Sequence, residues 1–297
     1  MKRVSIAAAR LASVFAVVLL ASCSKNDSSP ALATLSVTPG KKAVPLGSPV
    51  DLTYKFVIEP QAKIDGDYRV FVHVMDDRGQ RMWTDDHDPP KPTSTWKAGE
   101  TIQYTRTRFV PLYPFVGEAT ILMGLYRDDT RLPLAGIDPA DRQSPARAYK
   151  AGTLELKAES ENVLLIHKSG WHPVEFSPND PAISWEWTEK AAVISLKNPK
   201  KDITFYLEYD ARQDIFDGQV QRVSVYAGGQ EVYTFAADQK DQTLERIPIS
   251  AAQLGTDEMA EIRIEVDKSF VPAKLQNGGR DNRELGIRVY HAFVEVR

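Results

Sequence analysis

Cysteine is almost missing from this chain: one residue, Cys23, among 297. A single thiol excludes an intramolecular disulfide framework, a cysteine-built structural zinc site and an iron–sulfur cluster. Histidine is scarce too, at five residues, and no paired-histidine zinc motif occurs. There is no nucleophile elbow of the Gly-x-Ser-x-Gly type, no phosphate-binding glycine loop and no dinucleotide fingerprint. Basic charge is not in excess, with 37 Lys and Arg against 40 Asp and Glu and a net charge of −3, so a nucleic-acid partner is excluded for want of a basic face. Long apolar runs are lacking as well. The mean hydropathy of −0.34 is too low for a polytopic membrane protein, while 42% hydrophobic residues are too many for a disordered one. The length suggests two domains, each able to bury its own core.

The one cysteine stands where it carries most information. Lys2, Arg3 and Arg10 precede the apolar stretch Leu11–Leu20, the charged and hydrophobic regions of a secretory signal, and ten residues are too short for a mature spanning helix. The stretch ends in Leu20-Ala21-Ser22-Cys23, which resembles the lipobox of bacterial lipoproteins. That resemblance implies a signal peptide over residues 1–22, cleavage before Cys23, and a mature N-terminus at Cys23 carrying palmitate-type acyl chains. Two or three chains anchor stably, whereas one is marginal. Ser24 in place of aspartate then favours the outer membrane in a Gram-negative host. Cleavage removes three basic residues and no acidic one, which takes the net charge from −3 to −6. Residues 23–32, with Lys25-Asn26-Asp27-Ser28-Ser29-Pro30, read as a lipidated flexible tether. The membrane is thus a partner through the lipid on Cys23, and the location is the extracytoplasmic cell envelope.

Beyond residue 32 the pattern is short alternating segments bounded by Gly, Pro, Asn and Asp, with no sustained helical period. In the first half, 33–37, 50–58, 68–75, 101–109 and 118–126 read as strands, and Arg81-Met82-Trp83 returns after a turn at Asp77–Gln80. In the second, 191–196, 203–209, 220–226, 232–235, 246–248, 262–266 and 285–296 do the same. Gly228-Gly229 predicts a type I′ hairpin and Ser250–Leu254 a single helical turn. The fold class is therefore all-β, two antiparallel β-sandwich domains over 33–158 and 160–297, divided in the polar segment Lys157–Asn162.

Two blocks of residues carry a further resemblance. Asp86-His87-Asp88-Pro89-Pro90, Pro92-Thr93-Ser94, Trp96, Gly99-Glu100 and Leu125-Tyr126 are similar to Ig-like extracytoplasmic modules appended to bacterial membrane glycosyltransferases. Gly170-Trp171, Glu175, Trp185, Val223–Gly229 and Asp281–Gly286 are similar to the C-terminal jelly-roll, galactose-binding-like modules of surface-glycan glycosyltransferases. The two span roughly residues 45–295 and contain no transferase core. They imply an envelope-facing module with an envelope polysaccharide or an envelope protein as partner, and no catalysis.

The ligand-binding candidates are Trp171, Glu175, Trp185, Trp187 and Arg283. Trp185 and Trp187 are two apart and share one face of a strand. They either fill the core, as large aromatics usually do, or form a platform on which sugar rings stack. Trp171, with His172 and Glu175, reads as part of a loop. Arg280, Asp281, Arg283 and Glu284 form either a salt-bridge network closing the last strand or a polar rim. Asp86, His87 and Asp88 are weak metal candidates, because consecutive residues point alternately and Pro89-Pro90 favours a rigid turn; no metal and no cofactor is expected. A carboxylate pair for glycoside hydrolysis is defined by a separation of about 5–9.5 Å in the fold, so forty acids name no pair. The expectation is a non-catalytic envelope lipoprotein that binds glycan or assists envelope assembly. A protein-docking lipoprotein is the rival, and a polysaccharide hydrolase the third reading.

Overall fold

The structure, a computed structural model, describes residues 29–139, 146–239, 242–275 and 279–297. The signal segment, Cys23 and the tether through Ser28 lie outside the described residues. No helix among the described residues is long and apolar enough to cross a membrane. The fold is all-β; among the described residues the α-helices are two of four residues each, α1 (Ala251–Leu254) and α2 (Pro272–Leu275).

The described residues of the first sandwich form nine strands: β1 (Ala33–Pro39), β2 (Ala43–Pro45), β3 (Pro49–Ile58), β4 (Arg69–Met75), β5 (Arg81–Thr84), β6 (Thr101–Phe109), β7 (Gly117–Arg127), β8 (Thr130–Arg131) and β9 (Tyr149–Lys157). One sheet is β1-β3-β6; the other is β2-β9-β7-β4-β5, with β8 on β7. The strand pairs are antiparallel, as expected, apart from the short parallel pair of β2 with β9. Alternation sets the core: Leu52, Tyr54 and Phe56 of β3 face Val70, Val72 and Val74 of β4 and Ile121, Met123 and Leu125 of β7. The open side between edge strands β6 and β5 is closed by polar groups. Asp85, 3% exposed, accepts from Tyr54 Oη (2.7 Å) and from Arg106 Nε and Nη2 (both 3.1 Å), with Arg108 Nε at 3.0 Å.

The second sandwich is built from β10 (Leu165–Trp171), β11 (Glu175–Phe176), β12 (Ser184–Lys197), β13 (Ile203–Asp210), β14 (Gln221–Ala227), β15 (Gln230–Ala237), β16 (Thr243–Ile249), β17 (Met259–Val266) and β18 (Arg288–Val296). The order is β15-β14-β17-β12-β18-β13-β16, and β10 and β11 also pair with β12. The fourteen-residue β12 serves both layers. Its first part, at Glu186 and Trp187, pairs with β18, and its second, Ala191–Lys197, pairs with β17. The sheet therefore wraps around a core that includes Phe205, Leu207, Val223, Val225, Ile262 and Ile264. Gly228 and Gly229 both take positive φ, 55° and 79°, as a type I′ turn requires. Ser250 caps α1, with Gln253 closing the capping box.

The two sandwiches meet through a polar and aromatic junction. Arg246 of β16 bonds Asp51 and Thr107 on the outer face of β3 and β6, and Phe109 stacks on His291 of β18 at 4.3 Å and 8°. Lys41 pairs with Glu295, and Asn162 Nδ2 donates to the Leu46 carbonyl (2.7 Å).

Candidate functional site

Strand register builds the site. Trp187 of β12 stands opposite Arg288 of β18, and Arg288 opposite Asp210 of β13, so the three side chains form a row on one face. Trp185, two residues before Trp187, extends that face, and Glu175 of β11 stands opposite Trp185. Arg288 forks onto Asp210, with Nε to Oδ1 at 2.6 Å and Nη2 to Oδ2, and Tyr290 Oη donates to Oδ2 at 2.8 Å. Burial, and then the hydrogen bond to Asp210, pushes the Tyr290 hydroxyl above its ordinary pKa, so it stays a donor. The Arg288 guanidinium carbon lies 5.3 Å from the Trp185 ring centre and 5.5 Å from that of Trp187. Trp185 and Tyr290 are tilted at 59°, with ring centres 6.0 Å apart.

The two tryptophans differ in what covers them. Trp187 is 6% exposed, closed over by Phe270, whose ring meets it edge-on at 5.7 Å, and by Leu285. It is core, which corrects its candidacy as a platform. Trp185 stays half-buried beside Ile215 and Phe216. Its indole Nε1 is buried without a hydrogen-bond partner among the described residues. Uncompensated buried donors are rare enough to mark a surface that structure alone does not account for. Ile215, Phe216 and Phe270 of the same apolar cluster, with Ser269, Lys274 and Glu284 among others, line a shallow depression of about 370 Å³.

Glu175 and Arg283 flank Trp185. Arg283 Nη1 donates to Glu175 Oε1 (2.7 Å), and its Nε and Nη2 fork onto Asp281 (3.0 and 2.7 Å). The Arg283 hydrogen bonds hold the Asp281 carboxyl down to about 2, and Asp281 raises the guanidinium above its ordinary range. Glu284 accepts from Ser269 Oγ (2.5 Å) instead of joining that network. Arg212 forks onto Asp214 (2.8 and 2.7 Å) in the turn that carries Ile215.

Trp171 is not part of this surface. It ends β10 instead of lying in a loop, and it pairs with Thr188, which points to the face opposite Trp187. Its Nε1 donates to the Val193 carbonyl (3.0 Å), and its ring stacks on His167 at 3.9 Å and 11°.

Asp86, His87 and Asp88 do not converge either. His87 is buried, donating from Nδ1 to the Asp85 carbonyl (2.6 Å) and accepting at Nε2 from Tyr104 Oη (2.7 Å), so both ring nitrogens are used. Asp86 accepts from the Val72 amide (3.0 Å), and Asp88 pairs with Arg69 (3.1 Å) on the opposite side from His87. Among the described residues no group of three His, Cys, Asp or Glu side chains is placed to hold a metal ion.

Sequence reasoning missed Asp210, Arg288 and Tyr290, which do most to organise the site. Their only local signal is the spacing Arg288-x-Tyr290, an arginine and a tyrosine alternating with an apolar residue at the start of a strand.

No protein-family model matches the chain, and no curated protein sequence does. Among solved structures, a family GH115 4-O-methyl-alpha-glucuronidase, BtGH115A, is 12% identical at TM-score 0.32, covering 54% of this chain and 21% of its own. The M60 catalytic domain with the CBM51-1 and CBM51-2 domains of Clostridium perfringens ZmpB is 9% identical at TM-score 0.24, covering 84% and 34%. The alkylpurine DNA glycosylase AlkC of Pseudomonas fluorescens is 11% identical at TM-score 0.28, covering 43% and 31%. The chain thus spans between about a fifth and a third of the length of these proteins, and likenesses this weak carry no argument.

Proposed function

We propose that the chain is a lipid-anchored, non-catalytic protein of the cell envelope that holds a polysaccharide on the second sandwich. The lipobox-like Leu20–Cys23 supports the anchor, and the residue blocks similar to glycosyltransferase-associated modules support the setting. The observation that carries glycan binding is the half-buried Trp185 beside the Arg288–Asp210–Tyr290 array. An indole face takes the apolar face of a sugar ring, while fixed guanidinium and carboxylate groups beside it meet the hydroxyls.

The test is a glycan array probed with the chain from residue 23 carrying Cys23→Ser, and with the same chain carrying Trp185→Ala. Binding that the second substitution removes is expected; an array with no bound glycan overturns the reading. Labelled palmitate fed to cells making the full chain should enter the protein, and should not enter the Cys23→Ser variant. A protein-docking role is favoured by Val174 and Phe176, 49% and 60% exposed on the edge at β11. Replacing both with serine leaves glycan binding unchanged if the sugar site is the working surface.

A further inference from the structure

We infer that the Trp185 surface selects uncharged glycan over uronate- or phosphate-bearing glycan; this rests on the glycan-binding reading and names the ligand class for that same surface. Recognition of an acidic sugar needs a cation that no carboxylate already neutralises, because an anion brought against an already neutralised guanidinium gains no net attraction and loses its hydration. Three arginines of this surface, Arg288, Arg283 and Arg212, are each neutralised. Arg288, the cation over the ring, gives Nε and Nη2 to Asp210, and Asp210 also holds the Tyr290 hydroxyl. Arg283 is shared between Asp281 and Glu175, so two carboxylates face one guanidinium on that side. Arg212 is forked onto Asp214, whose side chain is 66% exposed.

Such alternation suits hydroxyls. A sugar hydroxyl both donates and accepts, so it can donate to the exposed Asp214 carboxylate and accept from the outward N–H groups of Arg212 or Arg288 without leaving a charge unpaired. The apolar face of the ring would lie on Trp185, and the adjoining depression, floored by Phe216 and Phe270, extends the apolar contact for a neighbouring residue of the chain. Lys274 and Glu284, one charge of each sign, both line that depression. In this arrangement Asp214 and Arg212 determine specificity, and Trp185 supplies the contact area.

Affinity electrophoresis tests the inference with the chain from residue 23 carrying Cys23→Ser. The gels contain β-galactan, β-glucan or N-acetylated chitooligosaccharide on one side, and polygalacturonate, alginate or a teichoic-type polyol phosphate on the other. At least one uncharged glycan should retard the protein, and none of the anionic ones should. Retardation should persist from low salt to about 0.5 M NaCl, where screening removes ion pairing with exposed charges. Trp185→Ala should weaken it at least about tenfold and Asp214→Asn measurably, with far-ultraviolet circular dichroism unchanged. Retardation by anionic glycans alone, lost in salt, overturns the inference and leaves the glycan-binding reading standing. Retardation by uncharged glycans that is unaffected in Trp185→Ala moves the site elsewhere and overturns it too. No retardation by any polymer overturns the glycan-binding reading and this inference with it.

Discussion

At the scale of single residues, two tryptophans two positions apart have separate tasks. Strand geometry puts both on one face, and that much is legible in the sequence; which of them is covered depends on the loop carrying Phe270 and Leu285, about a hundred residues away. Trp187→Ala should cost about 3–5 kcal/mol of stability by leaving a cavity. Trp185→Ala should cost much less stability and act on binding, so denaturant unfolding of the two variants separates the roles. Asp85 invites a similar argument. Its removal orphans the Tyr54 hydroxyl, but Arg106 and Arg108, 33% and 41% exposed, can turn to water. Asp85→Ala should therefore cost about 2–4 kcal/mol, less than the full cost of breaking a buried pair. His87 adds a pH dependence. Burial holds its pKa below the ordinary 6.5, and both ring nitrogens are engaged as neutral imidazole. Above pH 6.5 folded and unfolded chains are both neutral there, and the group has no effect. Below it the unfolded chain takes the proton first, so stability falls as pH drops from 6.5 toward the lowered folded value. His73 is lowered in the same direction, again first by burial. Melting temperatures between pH 7.5 and about 5.5 should decline, and His87→Gln should flatten the decline.

At the scale of elements, alternation was a good guide wherever a strand is regular, and it failed where the register breaks. From Val50 to Ile58, β3 alternates without interruption and is readable residue by residue. β9 was missed because a bulge at Ala151-Gly152, set against Ile121 and Leu122, puts two consecutive residues on the buried side and resets the period. β10 shifts register twice, between His167 and Ser169 and again before Trp171, so Leu165–Trp171 shows no two-residue period and reads as a loop. β2, β8 and β11 are three residues or fewer, too short for any period. The start of β12 was visible only as the Trp185/Trp187 pair, because its role in joining two layers depends on partners remote in sequence. The Gly228-Gly229 turn was legible because its chemistry is local. With φ at 55°, alanine at position 228 would strain the backbone and bring its Cβ against the Gln253 carbonyl of α1. Gly228→Ala should cost at least about 1–2 kcal/mol, measurable as a lowered melting temperature.

At the scale of the whole molecule, the junction decides how the Trp185 surface is carried. Leu32 bonds Pro133 and Glu59 at the Ile58 end of β3, whereas the second sandwich contacts the other end through Asp51 and through the Leu46 carbonyl. The ten extended residues of β3 span about 33 Å, so on the proposed reading, with the lipid on Cys23 and glycan held at Trp185, the first sandwich would set a spacing of roughly that height. A spacer works only if its far joint is stiff. The sequence could not announce this joint, because Asp51 and Arg246, 195 residues apart, read separately as ordinary exposed charges on strands. Each sandwich has its own core, so the joint is not needed for folding, and its polar character resembles a separable interdomain contact. Replacing Arg246 and Phe109 together with alanine should leave both cores intact and free the joint. Small-angle scattering should then show a larger radius of gyration, and calorimetry should resolve two transitions where the wild-type chain melts with its halves coupled. Glycan affinity of the soluble chain should stay unchanged, since Trp185 and Arg288 touch neither residue. An unchanged radius of gyration in the double variant would mean that the 157–162 connection and the Lys41–Glu295 pair set the angle between the sandwiches, and that the Arg246 and His291 contacts follow from the arrangement instead of holding it.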